Sequence, residues 1–323
     1  MHPLAAADAS DSSGAVNVSV VIPAYNAATF ICRTLDSVRA QTFTDAETIV
    51  VDDGSTDGTA DMAQAYFSRH AMCGRVVRQE NRGVSAARNA GIRSATGAYV
   101  ALLDSDDLWY PEKLAEVMAE FMRRPDADLI CHDENMTRDG RLVCVLRRRL
   151  PRGKVYETLL FGGNLLSPSA TTVRRQAALA IGGFDERAEY QTVEDYDFWM
   201  RFSREWSIRF LHRVLGEYVL HEQSASRRVV YHHVALERML GDHLTVYFRS
   251  RPDLITRLRA RRRMAQVYRS AARQLISYRE AVADQRAYVW RMLLANPFEW
   301  RNMAVALIWV GVALRRAFVP VHR

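Results

Sequence analysis

The feature that most limits what this chain can fold into is the apolar run Tyr99-Val100-Ala101-Leu102-Leu103, which stops abruptly at Asp104-Ser105-Asp106-Asp107. A short uncharged run of this kind reads as a strand covered on both faces. Ending it in three carboxylates delivers them together to one edge of a sheet. Carboxylates held that close raise one another's pKa unless a cation sits between them. Hard oxygen ligands suit Mg²⁺ or Mn²⁺, which often bridge one or two carboxylates to substrate phosphates. A second acidic strand end, Val50-Val51-Asp52-Asp53-Gly54-Ser55, lies earlier in the chain. Two such ends in one α/β pattern imply a nucleotide-diphosphate site.

Strand-like and helix-like segments alternate from residue 18 to about 135. Strands are expected at 19–22, 48–51, 75–77 and 99–103. The spacing predicts helices over 28–40, from Ser55 or Asp57 to Phe67, over 84–94, and from Pro111 to Met122. This alternation predicts a mostly parallel sheet with helices on both faces, and ligands then bind at the carboxyl ends of the strands. Beyond 135 the pattern is less regular. Asp139-Gly140 has the signature of a hairpin turn. A strand is expected at 170–173 and a helix over 193–203, with Trp199 in the core. From Arg227 onward the character is helical, divided by Pro252, Pro297 and Pro320.

Length allows one large domain plus an appendage. The four cysteines, Cys32, Cys73, Cys131 and Cys144, show no paired spacing, and a reducing, cytoplasmic setting is the natural reading. The opening residues carry no basic stretch followed by an apolar one, which points away from a signal peptide. Residues 1–17 read as a disordered lead-in. Charge is divided sharply: from Arg227 to the end there are 19 arginines and 6 acidic residues, a balance of +13, so the first 226 residues carry −6 of the overall +7. A basic tail favours an anionic partner.

In order and approximate spacing, five pieces resemble the family 2 glycosyltransferases of the GT-A fold. They are Val20-Val21-Ile22-Pro23-Ala24-Tyr25-Asn26, Asp52-Asp53-Gly54-Ser55, Asn81-Arg82-Gly83 with Ala87-Arg88-Asn89, Asp104-Ser105-Asp106, and Glu194-Asp195. The resemblance is close over 18–135, looser to 226 and absent beyond. It implies an α/β domain at 18–226, with a nucleotide-binding half (18–135) and an acceptor-binding half (136–226). An Arg-rich helical extension at 227–323 follows. It implies an inverting enzyme that uses Mn²⁺ or Mg²⁺, a nucleotide-sugar donor, and a glycan or lipid-linked saccharide acceptor. Pro23, Ala24, Tyr25, Asp53 and Asp104 would hold the nucleotide, Tyr25 by stacking on a base and Asp53 by accepting an imide N–H. Asp104 would approach the ribose and Asp106 the metal. His221 would be a further metal ligand, a phosphate donor or a surface histidine. Asp195 would be the base with Glu194 in support, and Asp197 competes on spacing alone. Where many relatives carry arginine, the segment from Tyr218 to Ser224 has Val219, which puts a phosphate contact there in doubt.

Turn and cap chemistry accounts for one of Asp52 and Asp53, Asp107 would cap the helix that follows it, and Arg88 reads as a helix-surface arginine. The glycines of Gly182-Gly183-Phe184-Asp185 would let an acceptor-side loop move. Two alternatives stand beside this reading. One is a sugar-nucleotide pyrophosphorylase, which calls for a glycine-rich, lysine-bearing loop that Pro23–Ala27 is not. The other is a catalytically inactive glycosyltransferase-like binding protein, against which intact Asp106 and Asp195 argue. The acidic body lacks an aromatic-basic platform, so no nucleic-acid partner is expected. Met303 to Leu314 is uncharged and too short to span a bilayer. Flanked by Trp and Arg, it would be a buried helix or lie at the interface of an anionic cytoplasmic membrane surface.

Overall fold

The computed structural model describes residues 17–149, 154–221, 229–278 and 281–318. Glu222 to Ser224, Arg227, Pro320 and all but the last residue of the lead-in lie outside these. Asn17 itself is tied in, because its N–H donates to Asp45 Oδ1 (3.2 Å) and its carbonyl accepts from Tyr99 (3.1 Å).

The first half alternates strand and helix: β1 (Val18–Ala24), α1 (Ile31–Arg39), β2 (Ala46–Asp52), α2 (Thr59–Arg69), β3 (Gly74–Arg78), α3 (Val84–Ser94) and β4 (Tyr99–Leu102). The strands β3-β2-β1-β4 are parallel throughout, with Ile22 opposite Val50 and Val21 opposite Leu102. The runs of Val, Ile and Leu in β1, β2 and β4 are buried on both faces, as a parallel sheet covered by helices requires, while the edge strand β3 is half-buried. Gly91 lets α3 sit close, since a Cβ there would fall 2.2 Å from Val21 Cγ1.

The second half adds β5 (Leu108–Trp109), α4 (Lys113–Arg123), β6 (Leu129–Arg138), β7 (Arg141–Leu146), α5 (Val155–Gly162), β8 (Thr171–Arg174), α6 (Arg175–Ala180), a 3₁₀ turn (Ala188–Tyr190), α7 (Glu194–Glu205) and β9 (Ile208–Leu220). Here the expected parallel character gives way. β8 pairs antiparallel with both β4 and β6, and β5 antiparallel with β9, while β6 and β9 are parallel. The sheet is therefore mixed and runs β3-β2-β1-β4-β8-β6-β9-β5. The β6–β7 hairpin turns on Asp139 and Gly140, both with positive φ (51° and 71°), the pairing that a two-residue turn demands.

Four helices close the chain: α8 (Val229–Ser250), α9 (Leu254–Ser277), α10 (Val282–Ala295) and α11 (Trp300–Phe318). The extension packs on the domain rather than hanging from it. Met239, Leu240, Leu244 and Tyr247 of α8, with Ala260 and Val267 of α9, join the core that holds Trp199 and Phe202 of α7.

Candidate functional site

A cavity of about 730 Å³ opens at the carboxyl ends of β1, β2 and β4 and runs to the start of α7. Pro23, Ala24, Tyr25 and Asp53 line one end. Tyr25, just past β1, is 53% exposed, its ring not committed to the core. The loop after it is cross-tied to the loop after β2: Asn26 N–H donates to Ser55 Oγ (2.9 Å), and Thr56 N–H donates to Asn26 Oδ1 (2.9 Å). Asp53 is buried and accepts from Gln79 Nε2 (2.7 Å), Arg82 N–H (2.9 Å) and Gly83 N–H (2.8 Å). Its carboxylate thus pins the Asn81–Gly83 loop against the cavity and has one lone pair left on Oδ2. Asp52 faces the turn, accepting from Ser55 N–H (3.3 Å).

In the middle of the cavity stand Asp104, Asp106 and His221. His221 Nε2 lies 2.6 Å from Asp106 Oδ2, and its ring sits against Phe30 at 4.7 Å. Burial and the charge of Asp104 push Asp106 up, the condition a bound cation relieves. Among the described residues no group of three or more His, Cys, Asp and Glu is arranged to hold a metal. Asp106, with His221 beside it, is the residue that would hold a divalent cation such as Mn²⁺ or Mg²⁺, for which carboxylate oxygen is a suitable donor. Asp107 is not a helix cap. It is buried, accepts from Ser169 Oγ (2.6 Å) and Val219 N–H (2.8 Å), and so ties the acidic loop to β9. Val219 therefore meets this loop through its backbone.

The far end is the first turn of α7. Asp195 is half-buried and accepts from Asn164 Nδ2 (3.1 Å) and Tyr196 N–H (2.6 Å). Burial and the neighbouring Glu194 push its carboxyl up to about 7, against the pull of Arg88. Asp197 points the other way, accepting from Arg201 Nε (2.7 Å) and lying 3.0 Å from His243 Nε2, so geometry removes it from the competition for the cavity. Thr192, just before this turn, has φ 78°. That conformation is costly for a β-branched residue and is typical of strain held at functional sites.

Residues 19–178 match the family described as Glycosyl transferase family 2. Residues 19–178 are a family 2 glycosyltransferase domain. An uncharacterized glycosyltransferase of Rickettsia prowazekii is 34% identical over 215 residues, covering 63% of this chain and 64% of its own length. The chondroitin synthase of Escherichia coli is 29% identical over 212 residues, 65% of this chain and 30% of that protein. The chain thus spans less than two thirds of the length of these relatives. Among solved structures, S. aureus TarS 1–349 in complex with UDP-GlcNAc superposes with a TM-score of 0.57 at 20% identity, over 86% of this chain and 89% of that one. The mannosyltransferase PcManGT from Pyrobaculum calidifontis, in complex with GDP-Man and Mn²⁺, gives 0.57 at 18%, over 94% and 87%. At those identities the likeness is one of fold.

Two parts of this glycosyltransferase domain's pocket escape sequence reasoning. The first is Arg88, which is not on the surface. It is 4% exposed, with Nη2 on Asp104 (2.8 Å) and Nη1 on Glu194 (2.8 Å), and it welds the β4 end to the start of α7. The available signal is its setting among Ser85, Ala86, Ala87 and Gly91, small residues that sink α3 into the fold on nearly every side. The second is the extension. His232, Leu236 and Arg263 line the cavity, so a division at 226/227 runs through its wall. No motif marks them. The loop at Gly182-Gly183 is also not free: Asn89 Nδ2 donates to Phe184 O (2.8 Å), Arg201 Nη2 to Gly183 O (2.7 Å), and a Cβ on Gly183 would fall 2.3 Å from Asn89 Oδ1.

Proposed function

We propose that this protein is an inverting glycosyltransferase. It would move a sugar from a nucleotide-diphosphate donor, UDP-linked in the first instance, to a hydroxyl of a growing glycan or lipid-linked saccharide. The observation that carries the reading is one cavity with Tyr25 and Asp53 at one end, Asp104, Asp106 and His221 between, and Asp195 at the other. Tyr25 offers a ring face to the base, Asp53 its remaining lone pair to an imide N–H, and Asp104, fixed by Arg88, accepts from a ribose hydroxyl. Mn²⁺ or Mg²⁺ held by Asp106 and His221 would neutralise charge growing on the departing diphosphate. Asp195 takes the proton of the acceptor hydroxyl as its oxygen attacks the anomeric carbon opposite the diphosphate, whose bond to that carbon breaks. Glu194, clamped by Arg88, keeps negative charge beside Asp195 and so keeps it basic near neutrality.

UDP is favoured because TarS is solved with UDP and with UDP-GlcNAc; the GDP-Man complex of PcManGT makes GDP the competitor. Calorimetric titration of UDP, GDP and dTDP, with and without Mn²⁺, tests this on wild type and Asp106→Ala. UDP binding that needs Mn²⁺ and disappears in the variant is the expected result. Metal-dependent GDP binding would change the base, and binding indifferent to metal would remove Asp106 and His221 from that role.

A second reading concerns location. No helix among the described residues is long and apolar enough to cross a membrane. Yet Trp300, Met303, Leu307 and Val310 form one outward stripe on α11, and Leu294 and Phe298 are exposed beside it. Arg261 donates to the Leu294 carbonyl (3.2 Å), which brings this arginine of α9 to the same region, and Arg301 follows Trp300 there. Apolar side chains among arginines complement an anionic bilayer surface. We therefore propose peripheral attachment at the cytoplasmic face of a membrane. Leu307→Glu with Trp300→Glu should abolish co-sedimentation with phosphatidylglycerol vesicles, and undiminished binding would end the idea.

A further inference from the structure

Arg263 on α9 is placed unlike its neighbours. Arg261 and Arg262 reach solvent, whereas Arg263 is 9% exposed and lines the cavity. Its hydrogen bond among the described residues is a long one, Nη2 to Tyr196 Oη at 3.4 Å, and its buried Nε has no partner. No described carboxylate forms a salt bridge with it, while the other buried cavity arginine, Arg88, has two. A buried guanidinium without a counter-charge is unfavourable, and a planar fork of donors is suited to carboxylate or phosphate.

Its position says which substrate would bring the anion. The guanidinium lies against Gly163, where a Cβ would come 3.6 Å from Nη2. The next residue, Asn164, donates to Asp195 at 3.1 Å. One loop residue therefore separates Arg263 from the proposed base, and Tyr25 and Asp53 stand at the opposite end. His232, fixed 3.1 Å from Thr192 Oγ1, and Leu236 complete the wall from α8.

We propose that α9 builds an oxyanion subsite at the acceptor end of the cavity. Arg263 is its anchor, and the acceptor carries a carboxylate or phosphate close to the hydroxyl that receives the sugar. This rests on the transfer reading above. It makes acceptor choice a property of the extension as well as of residues 136–226, and it narrows the acceptors to uronic-acid-containing glycans or phosphate-linked saccharides.

The test is the ¹⁵N-arginine Nε–H spectrum of the full chain, with the Arg263 signal assigned by its loss in Arg263→Lys. Methyl glucuronide, methyl phosphate and methyl glucoside are titrated separately. The expected result is a saturable shift with glucuronide or methyl phosphate at a Kd at least tenfold below that for glucoside. A response to glucuronide alone identifies a uronic acid acceptor, and one to methyl phosphate alone a phosphate-linked acceptor. Equal responses to all three overturn the subsite. So does a shift driven by UDP-glucuronate but not by the free glycosides or methyl phosphate, which would give the anion to the donor. Calorimetry with Arg263→Gln should show at least a tenfold loss of oxyanion affinity; should that variant not fold, the wild-type spectra decide. Mn²⁺-dependent UDP binding in the same wild-type sample separates the two readings. If it persists while Arg263 stays silent, the subsite falls and transfer stands. If no nucleotide binds while Arg263 responds, the reverse holds.

Discussion

The two edges of the parallel strands hold comparable charged groups to opposite ends. At the amino edge, Glu47 is buried where β1, β2 and β3 begin. Burial pushes its carboxyl up, but bonds from Ser19 Oγ (2.6 Å), Thr96 N–H (2.7 Å) and Oγ1 (2.6 Å), and the Arg75 guanidinium outweigh that and hold it at about 2. At the carboxyl edge, Asp195 is pushed up to about 7, and Glu194 Oε2 and Arg88 Nε stay without partners among the described residues. One cluster has both carboxylate oxygens bonded from within the chain and serves the sheet. The other leaves valences open, which is costly for stability and useful for a ligand.

This contrast can be broken by substitution. Asp195→Asn should have the largest effect, lowering kcat by about 10³-fold, the scale of a lost general base, while UDP affinity by calorimetry stays within about twofold. Arg88→Met leaves Glu194 and Asp104 without their counter-charge and should destabilise the fold by about 3 kcal/mol in urea unfolding. Glu47→Ala removes the amino-edge cluster and should cost about 2 kcal/mol with UDP affinity unchanged. The stabilisation from wild-type Glu47 is present above its unfolded pKa of 4.5 and lost as pH falls through about 2. In the variant, stability should therefore be flatter across that window. Within a single pH unit the effect is smaller: kcat/KM should rise about tenfold per unit below pH 7 and level off above, because Asp195 must lose its proton to act. A profile flat from pH 5 to 8 would take the base away from Asp195.

Strand and helix alternation from β1 to β4 is legible because each strand is a short run with branched apolar residues, buried on both faces in β1, β2 and β4, and α1 and α2 repeat their apolar positions at helical spacing. The mixed half is harder. β8 is four residues long and its direction depends on β4 and β6, partners distant in sequence. The acidic strand ends announce themselves by contrast with the apolar runs before them. Arg88 does not, since an arginine four residues into a helix looks the same whether it meets water or two carboxylates. Arg263 is harder still: three consecutive arginines carry nothing in their order that says which one the helix turns inward.

The cavity's two ends also differ in when they can exist. Tyr25, Asp53 and Asp104 lie just past β1, β2 and β4, and Arg88 lies in α3, so all four leave the ribosome within the first 104 residues of the chain. The wall carrying His232 and Arg263 arrives last, after the whole mixed half has been made. A growing chain would therefore expose the residues of one end of the cavity before the wall of the other had been synthesised.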